Sequence, residues 1–81
     1  MKVRVLMFAG ARDLCENDSV DVTLPERATI GDLRSALLSD FPPIGRILPY
    51  CRFAIDESYV KDDVVVESDS EIACIPPVSG G

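Results

Sequence analysis

A chain of 81 residues holds one domain at most, and a domain of this size buries only about 60% of its unfolded surface. Its 47% hydrophobic and 27% charged residues suffice for one core, which excludes disorder over the whole length, and the sequence contains no run of about 18 apolar residues that would span a membrane. The formal charge is −6, which argues against a nucleic-acid partner, whose phosphates need a basic surface.

The charge is unevenly placed. Asp56, Glu57, Asp62, Asp63, Glu67, Asp69 and Glu71 face only Lys61 in their stretch, and the rest of the chain is neutral. Such a segment suits a basic protein partner; on charge alone the simpler reading is a solvated face that aids solubility. The start MKVRVLMFAGARDL alternates and soon reaches Arg12 and Asp13, so no secretory leader is expected. Cys15, Cys51 and Cys74 are odd in number and widely spaced, without a CxxC motif or any histidine. A disulfide framework or zinc site is therefore not expected. Reduced, buried thiols and a cytoplasmic location are. A reactive, sulfur-handling cysteine is the alternative, but none has a neighbour that would lower its pKa.

In chain order, Lys2 to Ala9 reads as a strand. Val3, Val5 and Met7 share one face, and Lys2, Arg4, Leu6 and Phe8 the other. Its second face turns apolar towards the end, which leaves Phe8 exposed or under another element. GARDLCEN reads as a turn or one short helical turn. Ser19 to Leu24 alternates as a half-buried strand able to pair antiparallel with the first. One clear helix follows. Thr29 and Asp32 form a capping-box-like start, and Ile30, Leu33, Leu37 and Phe41 make an apolar stripe widened by Ala36. Arg34, Ser35 and Asp40 are left to face water. Phe41 precedes Pro42, which stops the helix. PPIGRILPY reads as a loop with room for one helical turn, Cys51 to Ile55 as a strand, SYVK as a short strand. Glu71 to Ile75 is a strand apolar on both faces, hence central. The order predicts an α+β fold, one helix over a mixed sheet.

Little in this sequence resembles an ordinary active site. There is no histidine for acid–base work at neutral pH, no Ser-His or Cys-His pair, and no phosphate-cradling glycine loop. Asp62–Asp63 is adjacency in a charged turn, and no carboxylate loop with metal-binding geometry is visible. The chain is expected not to catalyse alone and to hold no metal.

The last six residues, PPVSGG, differ from the rest. Pro76 and Pro77 have no amide hydrogen and cannot extend the preceding ladder; they favour an extended backbone leaving the sheet. Gly80 and Gly81 have no Cβ and pass where other residues collide. Ordering such a tail costs about 1–2 kcal/mol per residue, which a partner threading it through a narrow slot would offset with backbone hydrogen bonds. That slot would deliver the carboxylate of Gly81 to a reactive centre. A frayed end or a cloning scar is the plain alternative, but neither explains a Pro-Pro pair set directly after a strand.

EIACIPPVSGG (Glu71 to Gly81), VLMFAGARDL (Val5 to Leu14) and RFAIDESYV (Arg52 to Val60) resemble the small subunits of molybdopterin synthase, the MoaD family of ubiquitin-like sulfur carriers. The helix agrees in place and pattern. The resemblance implies a β-grasp globular domain over residues 1–75 and an extended Gly-Gly tail over 76–81. It implies that a ubiquitin-activating-enzyme-like adenylyltransferase uses ATP to adenylate Gly81, with no cofactor permanently bound. A persulfide sulfur donor then converts Gly81 to a thiocarboxylate. Inside the large synthase subunit that group gives its sulfur to cyclic pyranopterin monophosphate, forming the dithiolene of the molybdenum cofactor. Residue by residue, Gly81 is the reacting terminus, Gly80 permits threading, and Pro76, Pro77, Val78 and Ser79 are the contact segment. Phe8, Tyr59 and Ile75 match positions that present apolar side chains to partners, with core packing the alternative for each. Asp56 stands where Asn is common. Ser68-Asp69-Ser70 replaces Asp-Gly-Asp, so that turn is expected to change type. Cys74 replaces a larger, often aromatic residue. The other functions compatible with the sequence are a protein modifier joined through Gly81 to lysines, an adaptor without chemistry, and a sulfur carrier for another pathway.

Overall fold

A computed structural model describes residues 1–77. Five strands and two α-helices follow in the order β1 (Lys2–Met7), α1 (Ala9–Cys15), β2 (Ser19–Thr23), α2 (Ile30–Asp40), β3 (Arg52–Ile55), β4 (Ser58–Val60) and β5 (Ile72–Ile75), with two 3-10 turns, Pro42–Arg46 and Leu48–Tyr50, between α2 and β3. The strands form one mixed sheet in the order β2-β1-β5-β3-β4. β1 and β5 run parallel in the middle, and every other neighbouring pair is antiparallel. The expected central place of the doubly apolar last strand is thus observed, and so is the antiparallel pairing of the first two strands.

One face of the sheet is covered. Val3, Val5 and Met7 of β1, Val20 and Val22 of β2, Phe53 of β3, and Ile72 and Cys74 of β5 are buried against Ile30, Leu33 and Leu37 of α2. Phe41, at the end of the predicted stripe, is only partly buried. The helix start satisfies all its free amides, which a helix end otherwise leaves unpaired. Thr29 Oγ1 accepts from the Asp32 amide while Asp32 Oδ2 accepts from the Thr29 amide. The Ile30 and Gly31 amides donate to the carbonyls of Val64 and Asp62 at 2.9 Å each. The acidic connection between β4 and β5 is thereby stitched to the helix, with Val66 buried beneath it.

Three local readings are corrected. The GARDLCEN region lies in a seven-residue helix, Ala9–Cys15; it lacks a side-chain cap, begins at Ala9 with φ 46°, and is followed by the C-cap Glu16 with φ 60°. Its pattern is weak because tertiary burial of Ala11 and Cys15 holds it. The first strand stops at Met7, so Phe8 is the residue preceding α1. Arg34 does not simply face water. It forms a two-point ion pair with Asp62 (3.2 and 2.9 Å), donates to the carbonyls of Leu48 (2.6 Å) and Cys51 (3.0 Å), and lies over the Phe53 ring. An arginine fork can satisfy several acceptors at once, and here it joins α2, the 3-10 region and the start of β3. The Ser68–Ser70 turn, which has no glycine, contains no positive φ, and the Ser70 amide donates to the Glu67 carbonyl.

Candidate functional site

The uncovered face of the sheet carries the candidate site. Register places Leu6 of β1, Ala73 of β5, Ala54 of β3 and Tyr59 of β4 in one row across four strands. The two alanines in the middle are short, and the larger side chains at the ends stand higher. The result is a groove of about 330 Å³ lined by Leu6, Phe8, Ala54, Glu57, Tyr59, Glu71, Ala73 and Ile75. Phe8 is 45% exposed and Tyr59 54%, so neither is a core residue; Ile75 is half-buried. The structure brings together these three residues, which the sequence holds far apart.

Phe8 and Ile75 also border a second hollow of about 640 Å³, shared with Ala9, Gly10, Ile47, Pro76 and Pro77. β5 has β1 on one side and β3 on the other, and its last pair is Ile75 with Arg52. At Pro76 the ladder has no amide to continue it, so the chain leaves the centre of the sheet beside the groove. Val78, Ser79, Gly80 and Gly81, named above for threading and reaction, lie outside the described residues.

Several groove residues were not singled out from the sequence. Leu6, Ala54 and Ala73 were legible only as strand residues. Glu57 and Glu71 were counted as part of an acidic stretch. Arg52 stacks its guanidinium 3.8 Å from the centroid of the Tyr59 ring. The signal available was the apolar second face of β1 together with a last strand apolar on both sides.

At the groove's acidic end, β3 and β4 are joined by a two-residue turn in which Asp56 and Glu57 both have positive φ (50° and 71°), the type I′ geometry that matches strand twist. The Asp56 amide donates to the Glu71 carbonyl at 2.8 Å, and Asp56 Oδ1 accepts from the Glu71 amide at 3.0 Å. This reciprocal pair fixes Glu57 and Glu71 at one rim.

The thiols lie on the other side of the sheet. All three cysteines are free and buried. Burial raises the pKa of Cys15 and Cys51, and that of Cys74 most of all. Neutral, inaccessible thiols are poor nucleophiles, and Cys74 is a core residue. Among the described residues no group of three or more His, Cys, Asp or Glu side chains is arranged to hold a metal ion, and no helix is long and apolar enough to cross a membrane.

A mixed five-stranded sheet grasping one main helix is the β-grasp fold of ubiquitin-like proteins. SAMP1 from Haloferax volcanii superposes with a TM-score of 0.87 at 22% identity, each chain covered over 100% of its length. Subunit 1 or 2 in the complex of the molybdopterin-converting factor from Helicobacter pylori matches with a TM-score of 0.70 at 20% identity, again over 100% of both chains. The chain belongs to the ThiS family, whose model matches residues 5–81, and within it to the molybdopterin synthase sulfur carrier subunits, as its likeness to the Arabidopsis thaliana protein of that name shows: 31% identity over 81 residues, covering 100% of this chain and 84% of that one.

Proposed function

We propose that the chain carries sulfur as a thiocarboxylate on Gly81 and donates it in the assembly of the molybdopterin dithiolene. Residues 1–75 serve as the globular body and 76–81 as the tail. Family membership supports the carrier role. The observation that carries the reading further is the open apolar groove at the root of the Pro-Pro-Val-Ser-Gly-Gly segment. The docking surface and Pro76–Pro77, which open that segment, share Phe8 and Ile75 as neighbours, and six residues in an extended chain would span about 20 Å.

The chemistry explains that arrangement. A carboxylate is a poor electrophile, so an adenylyltransferase partner first joins Gly81 to AMP, with pyrophosphate released from ATP. The terminal sulfur of a persulfide attacks the carbonyl carbon, AMP leaves, and a thiol reduces the resulting acyl disulfide to the thiocarboxylate. The body supplies no group to these steps. It binds through Phe8, Tyr59 and Ile75, while Pro76, Pro77, Val78, Ser79 and Gly80 line the partner's slot. The large synthase subunit then receives the same tail; the two-subunit complex from Helicobacter pylori supports a partner of that kind. Three free thiols fit a reducing, cytoplasmic setting.

The test is intact mass after incubation with ATP, the adenylyltransferase and a persulfide donor. A gain equal to one oxygen-for-sulfur exchange, mapped to Gly81, is the expected result. An unchanged mass with an active adenylyltransferase would refute the reading. Lysine-linked conjugates in its place would identify a protein modifier.

A further inference from the structure

We propose that the groove takes a lysine or arginine side chain from the large synthase subunit, its aliphatic stem lying on the Leu6–Ala73–Ala54 floor and its cationic head between Glu57 and Glu71. This rests on the carrier reading above and specifies the chemistry of the partner's contact.

Four observations lead there. The floor is apolar and shallow in its middle, where Ala54 and Ala73 face each other across β3 and β5. Glu57 and Glu71 line the same groove, and two bonds between Asp56 and Glu71, one main chain to main chain and one from the Glu71 amide to Asp56 Oδ1, tie the turn to the start of β5. Among the described residues neither carboxylate has an ion pair, whereas Asp62, from the same acidic stretch, is taken by Arg34. The nearby cation, Arg52, is stacked on the Tyr59 ring and pairs with Ile75, at the end of β5 away from Glu71.

These features force a condition on any partner that covers the groove. Docking an apolar surface on Phe8, Tyr59 and Ile75 removes water from Glu57 and Glu71. Carboxylates that lose water without a counter-charge are strongly unfavourable. A long basic side chain meets both requirements, because its methylenes cover apolar surface while its head stays with charge. The acidic excess of residues 56–71 thereby acquires a location where it matters: the two members that face the groove.

The experiment measures association and dissociation rates of the unaltered chain and of Glu57→Gln/Glu71→Gln with the cognate large subunit, across a range of ionic strength. The glutamines keep shape and remove charge, and circular dichroism verifies the fold. The expected result is association slower by about tenfold at low salt with a flatter salt dependence, and dissociation faster by about tenfold or more, because a desolvated pair acts on release. A control, Asp13→Asn/Asp63→Asn, removes the same charge outside the groove and is expected to bind within about twofold of the unaltered chain. Unchanged rates in the glutamine variant would overturn the assignment. So would equal losses in the control, which would show a net-charge effect, or a change confined to association, which would show carboxylates that stay solvated. A chain that accepts sulfur and binds the large subunit yet ignores the substitutions overturns only this inference; a chain that does neither overturns the carrier reading as well.

Discussion

Arg34→Ala is expected to remove a large part of the stability of this domain. The guanidinium donates to two main-chain carbonyls, at 2.6 Å to Leu48 and 3.0 Å to Cys51, and its side chain is only 23% exposed. Bonds from a charged donor contribute about 1.5–3 kcal/mol each in such settings. The Leu48 carbonyl also accepts from the Cys51 amide and water can enter part of the site, so each bond is discounted to the ordinary net value of about 1 kcal/mol and the pair gives about 2 kcal/mol. The contact with the Phe53 ring at 4.9 Å adds about 0.5–1 kcal/mol. The Asp62 partner is 55% exposed, and such an ion pair contributes less than about 1 kcal/mol. The total is about 3 kcal/mol, against a stability of about 4–12 kcal/mol for a chain of this length. A shift of this size lowers Tm by about 12–24 °C. The chain has no tryptophan, so urea and thermal unfolding are followed by far-ultraviolet circular dichroism. Arg34→Lys keeps the charge but not the fork and is expected to recover less than half of the loss; Asp62→Asn is expected to cost less than about 1 kcal/mol. A loss below about 1 kcal/mol in Arg34→Ala would refute the view that this arginine joins α2 to the start of β3, the strand against which β5 and the tail root are aligned.

Phe8→Ala and Tyr59→Ala are each expected to weaken binding of the large subunit by about 1–2 kcal/mol, roughly five- to thirtyfold, with less than about 0.5 kcal/mol lost in urea unfolding for the exposed Phe8 and about 1 kcal/mol for Tyr59, whose ring also stacks on Arg52. Deleting Gly81 is expected to abolish thiocarboxylate formation and leave Tm unchanged, which mass spectrometry and calorimetry check together. The three thiols are expected to stay silent to a disulfide-exchange reagent in the folded chain and to react fully in denaturant. Their raised pKa values also fix a sign. Below the ordinary thiol value of 9.0 both folded and unfolded chains keep their thiols protonated. Above it the unfolded chain ionises while the folded chain resists, so stability falls as pH rises beyond that point, and urea midpoints measured at pH values on either side of the thiol range test it.

How much of this was legible beforehand depended on whether the determining contacts were local. Helix α2 was readable because its cap is built from Thr29 and Asp32, three residues apart, and its stripe repeats at the helical period. The alternation of β1 and β2 and the doubly apolar β5 were readable for the same reason: burial on one face or two leaves its mark on consecutive residues. Helix α1 left almost none, since it is short, uncapped and held by packing of Ala11 and Cys15. Arg34 looked like a solvent residue because its partners, Leu48, Cys51 and Asp62, are 14 to 28 positions away.

The sequence by itself determined the α+β class, the main helix and the peculiarity of a PPVSGG segment with two prolines and two glycines, because each is a property of neighbouring residues. Only the tertiary structure decided that β1 and β5 lie parallel in the centre and that Leu6, Ala73, Ala54 and Tyr59 align in one row. The same alignment set Phe8, Tyr59 and Ile75 around one groove and placed Glu57 and Glu71 at its rim. Strand order and register arise from pairing across long stretches of chain, which leaves no local pattern to read.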